Sequence, residues 1–491
     1  MTQHASPSAY EPQLKGYDEF LQFTLKEWNI PGMAVAIVKD NVIVYAQGFG
    51  QRDIAQQLEV TPHTLFPIAS CTKAFTATAL GILVDEGKLD WDTPIKHYLP
   101  TLKLYDAFAT ERVTIRDLLA HRSGLPRHDL LGYSSLLTRS ELVKRLQYLE
   151  PNKDLRSEWQ YNNLMYALAG YLLEVISGTS WEGFIQQHLH LPLGMMSSTT
   201  STRLAQSTAD FALPYREENG KIHMIPFHES DLMAPAGALN SNALEMCSWL
   251  LLQLQKGKYQ QEQLISQPQL AQIHRPHIPL DERSNFIGLA FHGYALGWQV
   301  GSYRGHRMVL HAGGVDGFSS LVTFLPDDQI GVVVLTNKSV CIAPAPITFT
   351  TCDRLLGLVE ISWNEQIKQA HRQAAEAAMA EAMNSGPGLA RVPGTRPSHP
   401  LVDYVGAFEH PGYGTGSIAL QGEQLTFSYN AKIYSLTHMH YDTFELILDM
   451  GFPLPTYLSF TTNVKGEIGS LAARLEPEVK EIVFTRVPPR E

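Results

Sequence analysis

Three short segments of this chain hold side chains that could act together on a carbonyl. The first is Ser70-Cys71-Thr72-Lys73. A hydroxyl and an amine three residues apart at the start of a helix share one face, so the amine can reach the hydroxyl. A serine at a helix N-terminus also has unpaired backbone N–H groups beside it, able to stabilise an oxyanion. The second is Tyr161-Asn162-Asn163, in a loop ahead of a predicted helix. The Tyr161 phenol can serve as a base where a cation lowers its pKa, and Lys73 would be that cation. The Asn163 amide can hold a substrate carbonyl. The third is His311-Ala312-Gly313-Gly314, at the end of a predicted strand. A strand edge beside the nucleophile offers a backbone N–H, glycines let substrate approach the backbone, and His311 can hydrogen-bond a substrate carboxylate or carbonyl. Singly, each segment has an ordinary structural reading: a helix cap with a solvated lysine, a surface tyrosine, a glycine turn. Their force lies in occurring together.

The elements needed to position them are legible. Residues 70–86 contain no proline, and Ala74, Ala77, Leu80 and Val84 recur at helical spacing before a stop at Gly87, so the spacing predicts a helix with a buried face. Residues 33–38 and 42–47 are β-prone runs around the polar turn Lys39-Asp40-Asn41 and predict a hairpin. Residues 114–257 read as mainly helical, with helices at 114–119, 163–177 and 242–256. Strand patterns return at 294–300, 306–311, 320–325 and 331–336, joined by tight turns. A hairpin near the start and a meander much later thus bracket a helical insert. The simplest arrangement is one antiparallel sheet built from both ends of this region, with helices packed on it. Residues 366–383 predict a further helix. Residues 384–400, rich in Pro and Gly, read as a linker, and beyond it short alternating strands predict a small all-β barrel or sandwich. The organisation expected is a catalytic domain over 1–365, a helix and linker over 366–400, and a β domain over 401–491.

At 491 residues the chain is too long for one core. Its net charge of −11 argues against a nucleic-acid partner. Cys71, Cys247, Cys341 and Cys352 show neither metal spacing nor a disulfide framework and read as small packed side chains. His188 and His190 lie two apart, off one helical face, so no metal is expected, and no nucleotide fingerprint calls for a cofactor. No apolar run approaches bilayer length, so no membrane span is expected. The first residues lack a basic start followed by an apolar stretch, which predicts a cytoplasmic protein, or a periplasmic or secreted one if a leader has been removed.

The order Ser-x-x-Lys, Tyr-x-Asn, His-x-Gly resembles the penicillin-recognising serine hydrolases, the penicillin-binding proteins and β-lactamases. Pro31-Gly32, Thr64-Leu65-Phe66, Asp117-Leu118-Leu119-Ala120-His121-Arg122-Ser123-Gly124-Leu125, Pro192-Leu193-Gly194-Met195 and Pro235-Ala236-Gly237 look like the class C β-lactamase branch. The resemblance runs from about residue 19 to residue 336. It implies an α+β fold, an antiparallel sheet flanked by helices with an all-α insert. It implies that Ser70 is acylated and that Lys73 and Tyr161 share the proton transfers. Asn163, His311 and Gly313 would bind substrate, and the backbone N–H groups of Ser70 and Gly314 would form the oxyanion hole. Where the typical β-lactamase motif begins with Lys, this one begins with His311, largely neutral at pH 7. That looks like the branch of D-aminopeptidases and family VIII esterases. The implied activity is hydrolysis, through an acyl-enzyme, of a small peptide, amide or ester, foremost D-amino-acid-containing peptides. An esterase, a weak β-lactamase or a non-turnover penicillin-binding sensor is the alternative. Tyr404-Val405-Gly406, Leu436-Thr437-His438 and Tyr441-Asp442-Thr443-Phe444 look like the lipocalin-like domain attached to some of these enzymes, where it restricts the site or assembles homo-oligomers. His410-Pro411-Gly412 repeats His-x-Gly there and reads as chance.

Overall fold

The computed structural model describes residues 10–229, 231–280, 286, 288–384, 391–449 and 453–488. Its larger sheet joins distant stretches of chain. Strand β1 (Gly32–Lys39) and β2 (Val42–Asp53) form the early hairpin, and β3 (Leu58–Glu59) continues the edge. The later strands are β4 (Leu289–Tyr294), β5 (Gln299–Tyr303), β6 (His306–Val315), β7 (Phe318–Leu325) and β8 (Ile330–Thr336). The order across the sheet is β4-β5-β6-β7-β8-β1-β2-β3, and each adjacent pair is antiparallel. Strand β1 pairs with β8 in the register Met33↔Thr336 to Lys39↔Ile330.

The uninterrupted apolar run of β1 is explained by burial on both faces. Met33, Val35 and Ile37 point into one core with Tyr17 and Leu21 of helix α1 (Tyr17–Glu27), Val332 and Val334. Ala34, Ala36 and Val38 point into the other, with Phe75, Trp249 and Leu250. That second layer contains helices α2 (Thr72–Asp85), α3 (Ile115–Leu119), α4 (Asn163–Ser177) and α5 (Ala243–Leu254). Helices α6 (Pro344–Leu356) and α7 (Trp363–Asn384) follow the last strand, and Ile347 and Trp363 join the α1 side.

Helix α2 differs from the expected helix with one buried face. Residues Thr72 to Leu83 are all buried, so the helix is enclosed on every side. Of its threonines, Thr76 is tied to remote parts of the chain: its Oγ1 donates to Pro235 O (2.7 Å) and accepts from Trp181 Nε1 (3.0 Å). The strand expected at 294–300 is two strands, parted by a turn at Gly297 with φ of 77°. A Cβ at Gly297 would lie 2.8 Å from the Lys73 carbonyl, so the chain turns where it presses on α2. Strand β6 runs on past His311 to Val315, and the insert carries a small hairpin, Tyr215–Glu218 with Lys221–Met224, that apolar periodicity did not signal.

The C-terminal part is a nearly closed antiparallel barrel of nine strands: β9 (Gly406–His410), β10 (Gly414–Gln421), β11 (Gln424–Tyr429), β12 (Lys432–Ser435), β13 (Thr437–His440), β14 (Thr443–Asp449), β15 (Pro453–Thr462), β16 (Ile468–Ala473) and β17 (Ile482–Arg486). The order is β12-β11-β10-β9-β17-β16-β15-β14-β13. Alternate residues such as Phe408, Phe427, Phe444, Leu458 and Phe484 fill its interior. Of the expected linker, residues 385–390 lie outside the described residues. The second His-x-Gly closes a barrel turn, where His410 Nδ1 accepts Gly412 N (3.0 Å) and Tyr413 N (3.1 Å).

Candidate active site

A tight turn, Ala69–Cys71, leads into α2 and carries Ser70. Ala69 has φ of 47°, a left-handed conformation unusual for a residue with a Cβ. The turn is tied to the sheet: Ser320 Oγ donates to Ile68 O (2.9 Å) and Cys71 Sγ donates to His311 O (3.1 Å). Pairing of β6 with β5 ends at Leu310, so His311 to Val315 form a free strand edge.

Lys73 is completely buried one helical turn below. Its Nζ lies 3.2 Å from Ser70 Oγ and donates to Asn163 Oδ1 (2.8 Å) and Ala236 O (2.9 Å). The Tyr161 ring centroid is 4.7 Å from Nζ, and its phenol is close enough to Ser70 for the serine side chain to influence its titration. Burial holds the Lys73 amine well below its ordinary pKa, and the Arg127 guanidinium adds to this. Burial raises the Tyr161 phenol, against the opposing effects of the Ser70 side chain and of Arg127. The sequence suggested a lysine cation pulling the phenol down. The enclosure of both groups by α2, α4 and the sheet turns that around: burial disfavours the ammonium of one and the phenolate of the other.

His311 is buried, and both of its ring nitrogens are engaged. Nδ1 lies 2.6 Å from Ala312 O, an acceptor, so Nδ1 carries the proton; Nε2 then accepts from Tyr294 Oη at 2.8 Å. Burial, reinforced by Lys73, pushes the imidazole down to about 3. Gly313 turns its α-carbon toward Ile68 O and Ser320, whereas a Cβ on Gly314 would meet nothing within 4 Å. Gly314 lines the cleft over Ser70; Gly313 does not.

That cleft, about 240 Å³, is lined by Ser70, Asn163, Ala236 and Gly314, by the apolar Pro67, Phe227, Val315 and Phe318, and by charged groups. Four of these are carboxylates (Asp129, Glu229, Asp231, Asp316) and two are guanidiniums (Arg127, Arg203), so the lining is acidic on balance. Asp129 accepts from Asn163 Nδ2 (3.0 Å) and pairs with Arg127 (2.5 Å), whose guanidinium lies 5.2 Å from the Tyr161 ring centroid. Sequence reasoning missed Arg127 and Asp129 because one lies in irregular chain and the other opens a single helical turn, Asp129–Gly132, too short to show periodicity. The barrel reaches this loop: Asn430 Nδ2 donates to Leu130 O and Tyr133 O, both 3.0 Å. Lys432 Nζ lies 4.7 Å from the Tyr133 ring centroid. Across the cleft, Tyr133 Oη donates to Asp316 Oδ2 (2.5 Å). Among the described residues no cluster of His, Cys, Asp or Glu could hold a metal ion, and no helix is long and apolar enough to cross a membrane.

Residues 18–350 match the Beta-lactamase family, and the chain therefore belongs to that family of serine hydrolases. Residues 390–486 match a family described only as a domain of unknown function, DUF3471. Among individual proteins, the chain is 29% identical over 423 residues to the unguisins hydrolase ungD' of Aspergillus campestris, covering 82% of this chain and 77% of that protein. Its fold is similar to that of the octameric penicillin-binding protein homologue from Pyrococcus abyssi, with a TM-score of 0.60 and 23% identity over 95% of this chain and 99% of that one. It is also similar to a class C beta-lactamase from Rhodobacter sphaeroides, with a TM-score of 0.55 and 18% identity over 71% of this chain and 99% of that one.

Proposed function

We propose that this protein hydrolyses amide bonds of small peptides containing D-amino acids through an acyl-enzyme on Ser70. The observation that carries the chemistry is the coordination of Lys73. In its neutral form, which burial favours, the amine has two N–H groups, for which Asn163 Oδ1 and Ala236 O are the acceptors. Its lone pair is left for the Ser70 hydroxyl proton at 3.2 Å. Ser70 Oγ then bonds to the substrate carbonyl carbon, with the oxyanion facing the backbone N–H groups of Ser70 and Gly314. Tyr161, beside Lys73 and Ser70, passes a proton from Lys73 to the leaving amine as the amide bond breaks. Water returns by the same route: it gives its proton to Tyr161 and Lys73, attacks the acyl carbon, and Ser70 leaves reprotonated. Asn163, held by Asp129 from behind, would also orient the substrate's acyl-side amide.

Peptide and amide substrates are favoured over β-lactams because His311 supplies no cation for a ring carboxylate. Both of its nitrogens are committed within the protein, and the cleft is acidic on balance. The relative that hydrolyses unguisins supports hydrolysis as the outcome. Ester cleavage is the second reading, since an activated ester asks little beyond the nucleophile and oxyanion donors. The deciding experiment is turnover of a p-nitrophenyl ester, D- and L-alanine p-nitroanilides and a chromogenic cephalosporin, with Ser70→Ala as control. Preference for the D-anilide, abolished in Ser70→Ala, is the expected result. Fast ester cleavage alone moves the assignment to an esterase, rapid cephalosporin turnover to a β-lactamase, and unchanged activity in Ser70→Ala refutes the mechanism.

A further inference from the structure

The segment leading to Tyr161 is bound along its length to the segment 121–124. Lys153 N donates to Gly124 O (3.2 Å), Arg156 N to Arg122 O (2.7 Å) and Gln160 N to His121 O (2.8 Å). Asn162 N donates to His121 Nδ1 (3.1 Å). The two segments are in close contact: a Cβ on Gly124 would lie 2.2 Å from Lys153 O. The last two bonds come from the residues on either side of Tyr161, and both end on His121. The His121 ring also lies over the Tyr161 phenol, centroids 4.3 Å apart at 39°. Tyr294 (4.8 Å) and Tyr166 (5.2 Å) flank the ring further, so a fully buried imidazole is boxed among aromatics.

His121 itself has φ of 56°, the left-handed conformation. In this conformation one residue presents its carbonyl to Gln160 and its ring nitrogen to Asn162. Because Nδ1 accepts, the ring proton sits on Nε2 and the tautomer is fixed. Burial beside Lys73 keeps the ring neutral. Asn162 is held from its other side too, its Nδ2 donating to Leu125 O (3.2 Å) and Pro126 O (2.5 Å) while its Oδ1 caps α4 at Met165 N (3.0 Å).

We infer that His121 is a positioning residue for Tyr161, clamping the phenol through both flanking backbone N–H groups and through ring contact, so that its hydroxyl stays on Ser70. The inference rests on the reading of Tyr161 as the proton carrier. It assigns His121 no contact with substrate and no proton of its own to transfer.

The test compares His121→Phe, which keeps a ring but removes the acceptor, with His121→Asn, whose Oδ1 can take the place of Nδ1. Turnover of D-alanine p-nitroanilide, whose leaving amine must be protonated, is measured alongside the melting temperature. In His121→Phe, kcat should fall about 100-fold with KM within about twofold, the size expected when a reacting group moves by about an ångström. His121→Asn should recover about 10-fold of that loss. Should His121→Phe not fold, His121→Gln replaces it, since its acceptor sits one bond further out and misses Asn162; the same split is expected. Wild-type kcat in His121→Phe, or no difference between His121→Asn and His121→Gln, overturns the clamp. Tyr161→Phe in the same assay separates the two ideas. Full activity there overturns the role of Tyr161 and the clamp with it, whereas loss there with none in His121→Phe overturns the clamp alone.

Discussion

Replacing Gly313 by alanine tests how rigidly the sheet holds the nucleophile. A Cβ there would lie 2.2 Å from Ile68 O and 2.3 Å from Ser320 Oγ. Ordinary non-bonded contact needs about 3.5 Å, so the strand and the turn must part by about 1 Å. The Ser320 hydroxyl can rotate away, giving up its bond to Ile68 O at a cost of about 1 kcal/mol. The Ile68 carbonyl cannot rotate away, because it is main chain and lies two residues before Ser70. A displacement of about 1 Å at the reacting atoms costs about 100-fold in rate, or about 2.7 kcal/mol of transition-state stabilisation. Gly313→Ala should therefore lose about two orders of magnitude in single-turnover acylation by an activated ester, with a melting temperature lower by a few degrees. Gly314→Ala is the control from the next position in the strand. Its Cβ meets no heavy atom within 4 Å, so its melting temperature should match wild type. Wild-type acylation in Gly313→Ala would refute the argument that β6 and the Ser70 turn form one unit.

Four further outcomes follow from the same geometry. Because Lys73 is held well below the ordinary lysine value of 10.5, protons bind the unfolded chain more tightly than the folded one below that pH, which disfavours folding. Lys73→Met should thus lower ester turnover by about 100-fold or more while raising the urea midpoint at pH 7, the gain shrinking as the pH approaches 10.5. His311, at about 3 folded against 6.5 unfolded, makes stability fall as the pH drops through that window. Between pH 7 and 4.5 the wild type should lose about 3 kcal/mol more than His311→Asn, measured by urea unfolding at both pH values. Asp117 is fully buried and bonds Arg122 (2.7 Å) and Arg156 (2.8 Å), so Asp117→Ala should cost about 3 kcal/mol by equilibrium unfolding. Asn430→Ala removes the two barrel bonds to Leu130 O and Tyr133 O and should speed hydrogen exchange across residues 129–133 while leaving the large sheet unchanged.

What could be read from sequence follows from how local each determinant is. Helix α4 was legible at both ends because Asn162 caps it and Gly178 stops it, each within one turn. The Ser70–Lys73 pair was legible because helical spacing fixes it. The break at 295–298 was not, since a lone glycine in a largely apolar run does not by itself mark a turn; Gly297 meets the Lys73 carbonyl from a remote part of the chain. The state of His311 was equally hidden, as it depends on a hydroxyl from Tyr294 across the neighbouring strands. The direction of the Tyr161 pKa followed from how completely three layers enclose it, which no motif records. Arg127 and Asp129 lie at the start of a single helical turn that the barrel contacts through Asn430.

The pairing of β1 with β8 also sets a timetable for making this protein. Met33 finds its partner in Thr336, about 300 residues later. At a synthesis rate of about 5–20 residues per second, the central strand waits roughly 15 to 60 s for its neighbour. During that interval β1 lacks its neighbour on one side, and so small a piece of sheet is marginal in water. The strand edge that β8 will pair with stays exposed on the ribosome, while the insert between them already has helices to assemble. Nascent chains released before residue 336 should therefore bind chaperones and lack esterase activity, even though Ser70, Lys73, Tyr161 and Asn163 have all been made.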